Sequence, residues 1–402
     1  MNHRKSRSTL VVAFVFLSSL LASQLALAHH DIPAWLTQNF AGPTYTVYYA
    51  IACPPAEPGC NTDETVLPDD GDGDGTPNAV EEMSAYLEDS RSAFMSTFGM
   101  REPYFNYTSP RLAYMSGGCW GSYNGHTMWM CARGTSADWV QAKSTAVHEL
   151  FHGAQWAYGG SAPQPGWVIE GQAAFIEDEV FNDLDDNAGT FLFSQGSVYL
   201  SDPNAFALTS TGYPIAWFWK YLAEQYGTTA DPYQGMDLIE TFWDRSDTLH
   251  ISGMAAVDAA LAIDHPGTTF EDVYKDFVIA NYARKLTDPA LPAKYRYADE
   301  AEPLPGPLPA VKLDVDQGVG PTDQVGPLLS YVAAWGVRYY QIRPDAGVPI
   351  ISIDVHQDTA NRVFYTLLKV RDGNLISEER YTGRHFARSF PNDSKARTIG
   401  SS

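Results

Sequence analysis

Apolar residues recur at three- and four-residue spacing through the middle of the chain, and at two-residue spacing near its end. Trp139, Ala142, Ala146, Leu150, Ala154 and Ala157 form one such stripe, which predicts a helix over Ala137–Tyr158 ended by Gly159-Gly160. Pro163, Pro165 and Gly166 form a connection to a second helix, Trp167–Asn182. Thr211-Gly212-Tyr213-Pro214 leads into a third over Ile215–Tyr226, and helical spacing persists through Ala283. Upstream, residues 29–68 are rich in turn formers, with strand-like aromatics at Tyr45–Ile51. Pro77 suits the first turn of a helix running to about Phe98. Residues 104–134 read as β-structure, with Gly117-Gly118 and a turn signal at Tyr123-Asn124-Gly125-His126-Thr127. Eight prolines between Pro289 and Pro327 predict a linker, followed by short strands at Tyr339–Ile342, Ile350–Val355, Val363–Val370 and Ile376–Tyr381. Arg371-Asp372-Gly373-Asn374 reads as the hairpin turn between the last two. The polar end, Ser394–Ser402, predicts a loose tail or the lack of a closing strand.

The expected class is α+β. A principal domain over 69–285 follows an N-terminal strand and turn segment at 29–68. A Pro-rich linker at 286–327 then leads to a small β-sandwich-like domain at 328–402. At 402 residues there is ample chain for a core.

The first 28 residues have the composition of an export signal: Arg4, Lys5 and Arg7, an apolar run from Leu10, and Ala26-Leu27-Ala28 as a small-residue cleavage site. An uncleaved anchor is the competing reading, since the run is nearly long enough to span a bilayer. Ser18, Ser19, Ser23 and Gln24 favour cleavage, and no later segment is apolar enough to cross a membrane. The net charge is −22, and three units more negative without the basic start, which disfavours nucleic acid and anionic lipid as partners. Four cysteines beyond the signal fit an oxidising compartment and two disulfides. A three-residue hairpin loop would set Cys119 directly opposite Cys131. That favours Cys119–Cys131 and Cys53–Cys60 among three possible pairings.

The chemistry concentrates in His148-Glu149-Leu150-Phe151-His152 and in Glu170 of Trp167-Val168-Ile169-Glu170-Gly171. Histidines four apart on a helix share a face, so both imidazoles can reach one zinc ion. Glu170 on the next helix supplies a third ligand, and Glu149 lies beside the remaining coordination position, where water would sit. The plainer reading is a helix whose histidines pack or face water. The histidines' position off the apolar stripe and the second helix carrying Glu170 weigh against it. A second motif, Asp70, Asp72, Asp74, Gly75 and Glu81, fills positions 1, 3, 5, 6 and 12 of an Asp-x-Asp-x-Asp-Gly calcium loop. Thr76 would add its carbonyl and Asn78 a water-mediated contact. Pro68 and Pro77 depart from a paired EF-hand, so a single structural calcium loop is expected rather than a sensor; a solvated acidic turn is the alternative.

His148, Glu149, His152 and Glu170 resemble the gluzincin metallopeptidases. The wording His-Glu-Leu-Phe-His-Gly-Ala-Gln, then Trp-Val-Ile-Glu-Gly-Gln-Ala-Ala-Phe-Ile-Glu-Asp, is similar to secreted bacterial metalloproteases of the myxobacterial type. The resemblance covers roughly residues 65–225. It implies a zincin-like fold with a strand edging the cleft, a protein or peptide substrate, and Glu149 as general base. Tyr213 is its expected oxyanion donor, with His250 a second choice, while Glu177 and Asp178 are candidates to hold a ligand imidazole. The aminopeptidase run Gly-x-Met-Glu-Asn is absent, which favours an endopeptidase. The other class to weigh is a calcium-stabilised secreted binding or adhesion protein on an inactive peptidase fold.

Overall fold

The computed structural model describes residues 32–53, 60, 65–105, 111–115, 121–125, 127–130, 138–159, 163–181, 191–209, 212–230, 233–297, 309–320, 323, 332–345, 348, 350–356, 363–383 and 385–391. The predicted export signal, Cys119 and Cys131 lie outside them.

The protein is of mixed α and β structure. Its largest sheet has five strands: β1 (Gln38–Ala41), β2 (Tyr45–Tyr49), β3 (Arg111–Met115), β4 (Ser122–Tyr123) and β5 (Thr127–Met130), in the order β1-β2-β3-β5-β4. β2, β3 and β5 run parallel, while β1 and β4 are antiparallel to their neighbours and occupy the two edges. β2 alternates buried and half-buried residues, as a strand with one face on a core should.

Against the sheet lie α1 (Asn78–Ser92), which continues into a π-helical turn at Ala93–Thr97, and α2 (Asp138–Trp156). The π-turn closes with Phe98 N–H on the Ala93 carbonyl, 2.9 Å, and brings Phe94 edge-on to Phe151 of α2. The stripe predicted for α2 is buried at Ala142, Ala146, Leu150 and Ala154. α3 (Gly166–Val180) packs across α2. It is followed by α4 (Phe191–Ser201), a 3₁₀ turn at Tyr213–Ile215, α5 (Ala216–Tyr226), α6 (Met236–Leu249), α7 (Met254–Asp264) and α8 (Phe270–Ala283). α5 is apolar almost all round because it is surrounded. Trp219 stacks on Trp167 of α3 with centroids 5.4 Å apart, and Trp217 donates to Asn281 of α8 at 2.9 Å. Each buried indole N–H therefore has an acceptor, as burial requires.

Beyond α8 come β6 (Val315–Val319), β7 (Tyr340–Pro344), β8 (Ile350–His356), β9 (Phe364–Arg371), β10 (Asn374–Thr382) and β11 (His385–Pro391). They form three two-stranded sheets, β6-β7, β8-β11 and β9-β10. The predicted turn closes β9 on β10 with Asp372 at φ 51° and Gly373 at φ 79°, the left-handed pair of a two-residue hairpin.

The structure bears on three further expectations. Within and beside the stretch expected to be a linker, Tyr295, Tyr297 and Val311 are buried against the helices, and β6 pairs in parallel with β7. The polar tail is preceded by a closing strand, β11, on β8. The β4–β5 hairpin pairs Ser122 with Trp129 and Tyr123 with Met128, and Asn124 N–H reaches the Thr127 carbonyl. That register leaves two positions between the paired residues Asn124 and Thr127 rather than three, with Gly125 at φ 84°.

Candidate active site

α2 and α3 cross so that His148, His152 and Glu170 converge. Glu170 Oε2 stands 3.5 Å from His148 Nε2 and 3.7 Å from His152 Nε2. Ligands at ordinary zinc distances in a tetrahedron are about 3.3–3.6 Å apart, close to these two separations, and all three ligand atoms lie within 4.8 Å of one another. Both imidazoles are buried, and Glu170 Oε2 is a buried oxygen with no hydrogen-bond partner. An orphaned carboxylate oxygen facing two ring nitrogens is costly unless a cation joins them, which is the fit expected of a zinc site.

The far side of each ring is fixed. His148 Nδ1 lies 2.8 Å from Glu177 Oε1, whose other oxygen accepts from Ser144 Oγ. His152 Nδ1 lies 2.9 Å from Gln155 Oε1, and the Gln155 amide donates to the Ile169 carbonyl at 3.0 Å. With acceptors on both Nδ1 atoms, the neutral tautomers carry the proton there and aim both Nε2 lone pairs at the triangle. Burial disfavours the imidazolium of both. At His148 the Glu170 and Glu177 carboxylates outweigh it and lift the pKa to about 10, a place where a cation would substitute for the proton. At His152 burial and the neighbouring His148 bring it down.

Glu149 is buried beside the triangle, and burial, reinforced by Glu170 and Glu177, lifts its carboxyl to about 7. That range suits a group that takes up and releases a proton near neutrality. Gly121, just ahead of β4, lies against it: a Cβ there would come 2.4 Å from Glu149 Cγ and from Thr145 Cγ2. The Tyr213 ring lies 5.8 Å from that of His148, and its hydroxyl hydrogen-bonds the Glu170 carboxylate. A tight approach of Gly212 to Glu170, 2.9 Å from a built Cβ to Glu170 Cβ, fixes the turn that presents Tyr213.

The structure therefore brings together His148, Glu149, His152, Glu170, Tyr213 and Glu177. Asp178 turns away to a buried ion pair with Lys220, and His250 is an exposed left-handed residue closing α6. Gln155 and Gly121 are additions. Gln155 had a signal in its position, three residues after His152 on the same face; Gly121 had none.

Around α1's N-terminus, Asp70, Asp72 and Asp74 can each offer an oxygen within 4.8 Å of the others. Asp70 accepts from Gly73 and Gly75 N–H at 2.7 and 2.8 Å, which lowers its pKa. Glu81 feels all three aspartates: burial and then their charges raise its pKa. Asn78 Oδ1 accepts from Gly71 N–H at 2.9 Å. Cys53 and Cys60 form a disulfide, and among the described residues no helix is long and apolar enough to cross a membrane.

No family model matches the chain, and no curated protein matches it.

Proposed function

We propose that the protein is an exported zinc-dependent metallopeptidase, of the gluzincin kind its sequence resembles, that hydrolyses internal peptide bonds. The observation that carries this reading is the convergence of His148 Nε2, His152 Nε2 and the orphaned Glu170 Oε2 beside a buried Glu149. Those three atoms would hold the ion. Zinc, when bound, supplies a Lewis acid that makes a water acidic near neutral pH and polarises the scissile carbonyl. Glu149 takes a proton from the attacking water as its oxygen bonds to the carbonyl carbon. It returns that proton to the amide nitrogen as the C–N bond breaks, leaving a carboxylic acid and an amine. Tyr213, held by Glu170, turns its hydroxyl to the carbonyl oxygen as negative charge develops there. β4 is an edge strand running beside α2, which supports an extended peptide as substrate.

Asp70, Asp72, Asp74, Glu81 and the Thr76 carbonyl, with Asn78 through water, are proposed to hold a structural calcium ion that ties the loop to α1. The Cys53–Cys60 disulfide supports an exported destination.

The test compares purified wild type with Glu149→Gln for zinc content and cleavage of a denatured protein. Both should bind about one zinc, with turnover of the variant down by about 10²–10⁴. Equal cleavage by both would remove Glu149 from the chemistry. Zinc bound by both and no cleavage of any substrate would favour a binding protein on an inactive peptidase fold.

A further inference from the structure

Trp156 is the most exposed aromatic side chain among the described residues, at 52%. It stands on α2 four residues after His152 and seven after Glu149, so about 10 Å further along the helix than the general base. The exposed indole offers a large apolar face to a ligand.

Its surroundings form a track that begins at the site. β4 and its flanks lie along α2 residue by residue. Gly121 is against Thr145 and Glu149, the Tyr123 ring is against Gly153, and Gly125 is against the Trp156 ring, 2.8 Å from a built Cβ. Tyr123 packs edge-on to Trp156 at 5.9 Å and to Phe105 at 5.6 Å, and its hydroxyl donates to the Tyr104 carbonyl. The odd-numbered residues of this strand therefore face the helix, while Ser122 and Asn124 are exposed. Trp156 is thereby braced on one side by a fixed aromatic and open on the other.

Resting on the peptidase reading, we infer that Trp156, with Tyr123, forms a subsite that selects substrates carrying an aromatic or large aliphatic side chain ahead of the scissile bond. The position follows from the geometry. The strand runs from Glu149 toward Trp156, so a peptide paired antiparallel to its free edge runs from Trp156 toward Glu149. Its residues before the cleaved bond then lie beside the tryptophan. Tyr123, which packs on Trp156, lies two residues along the strand from Gly121 beside Glu149, and side chains two apart share a face. The selected side chain is thus the one two residues before the residue held over Glu149. Ring-on-ring contact there covers the exposed indole face without any buried charge.

The probes are acetylated tripeptide hydroxamates, which end on a zinc-binding group and carry phenylalanine or alanine at the first residue. Binding is measured by calorimetry to zinc-loaded wild type, Trp156→Ala and Trp156→Phe, with zinc content checked for each. Wild type should favour the phenylalanine probe about tenfold. That ratio should fall to near one in Trp156→Ala and be largely kept in Trp156→Phe, with zinc content equal in all three. A ratio unchanged in Trp156→Ala overturns the subsite. Cleavage of a denatured protein by wild type is followed alongside. Cleavage with no Trp156-dependent ratio removes the subsite and leaves the peptidase. Neither cleavage nor hydroxamate binding removes both.

Discussion

In the proposed zinc site, the buried Glu177 carboxylate would tune a ligand without touching the metal. Its contact to His148 Nδ1 fixes the tautomer and makes Nε2 a better donor. Glu177→Gln keeps an acceptor but loses the charge, so zinc affinity should drop by about 10–100-fold, read by competition with a chelator. Unchanged affinity would reduce the contact to packing. Gly121 bears on the proposed general base itself. A methyl group at this position would displace the Glu149 carboxylate, so Gly121→Ala should lower kcat by about 10²-fold with zinc content intact. Full activity in that variant would mean that the strand yields more easily than the glutamate. The proposed ligands His148 and His152 were legible in the sequence because helical spacing alone puts them on one face, with Glu149 beside them and Glu170 on the next helix. Gly121 was not, since nothing local marks a backbone that approaches a side chain 28 positions away only after the sheet has formed.

At the level of elements, α3 carries three successive acids that diverge to three different ends. Glu177 serves His148, and Asp178 meets Lys220 of α5 at 3.1 Å; Lys220 also pairs with Glu224 at 3.3 Å. Glu179 is buried, and burial holds its carboxyl well above the usual range despite Lys220 nearby. The folded protein thus keeps a proton that the unfolded chain releases near pH ~4.3. The stability linked to Glu179 is complete below that pH and is lost as pH rises toward its folded pKa. Glu179→Gln should therefore melt like wild type near pH 4 and at a higher temperature at pH 8. Identical melts at pH 8 would show that Glu179 ionises in place. The helices through α8 were readable because their apolar periodicity is local. The β6 segment Val315-Asp316-Gln317-Gly318-Val319 was not: it has two apolar residues, and its partner β7 lies beyond a long crossover. β11 was hidden for a related reason, since it returns to β8 rather than to its neighbour β10. The hairpin loop was misjudged by one residue because Asn124-Gly125-His126-Thr127 admits both lengths. Only the pairing of Tyr123 with Met128 decides between them.

For the molecule as a whole, the proposed calcium loop would bear on stability rather than on chemistry. Calcium at a hundred times its Kd should add about 2.7 kcal/mol to unfolding. The check is thermal melting in calcium, magnesium and a calcium-selective chelator, with Asp72→Ala/Asp74→Ala expected to abolish the shift while keeping zinc. A melt indifferent to calcium would leave the loop an acidic turn. The coarse class and the site were visible from composition and spacing, whereas the relation between the helices and the C-terminal strands was not. That relation depends on aromatic and polar contacts between distant residues. Tyr297 stacks on Trp217 at 4.7 Å, and the Tyr221 hydroxyl donates to the Lys294 carbonyl at 2.7 Å. Arg380 of β10 reaches Asp276 of α8, and Leu368 and Leu375 cover Ile279 and Ala283. A shortened gene ending near codon 285 would therefore yield a half-dressed protein, with indole and phenol rings bared along α5 and α8. The helices and the C-terminal strands therefore have to be made together for either to keep its surface covered.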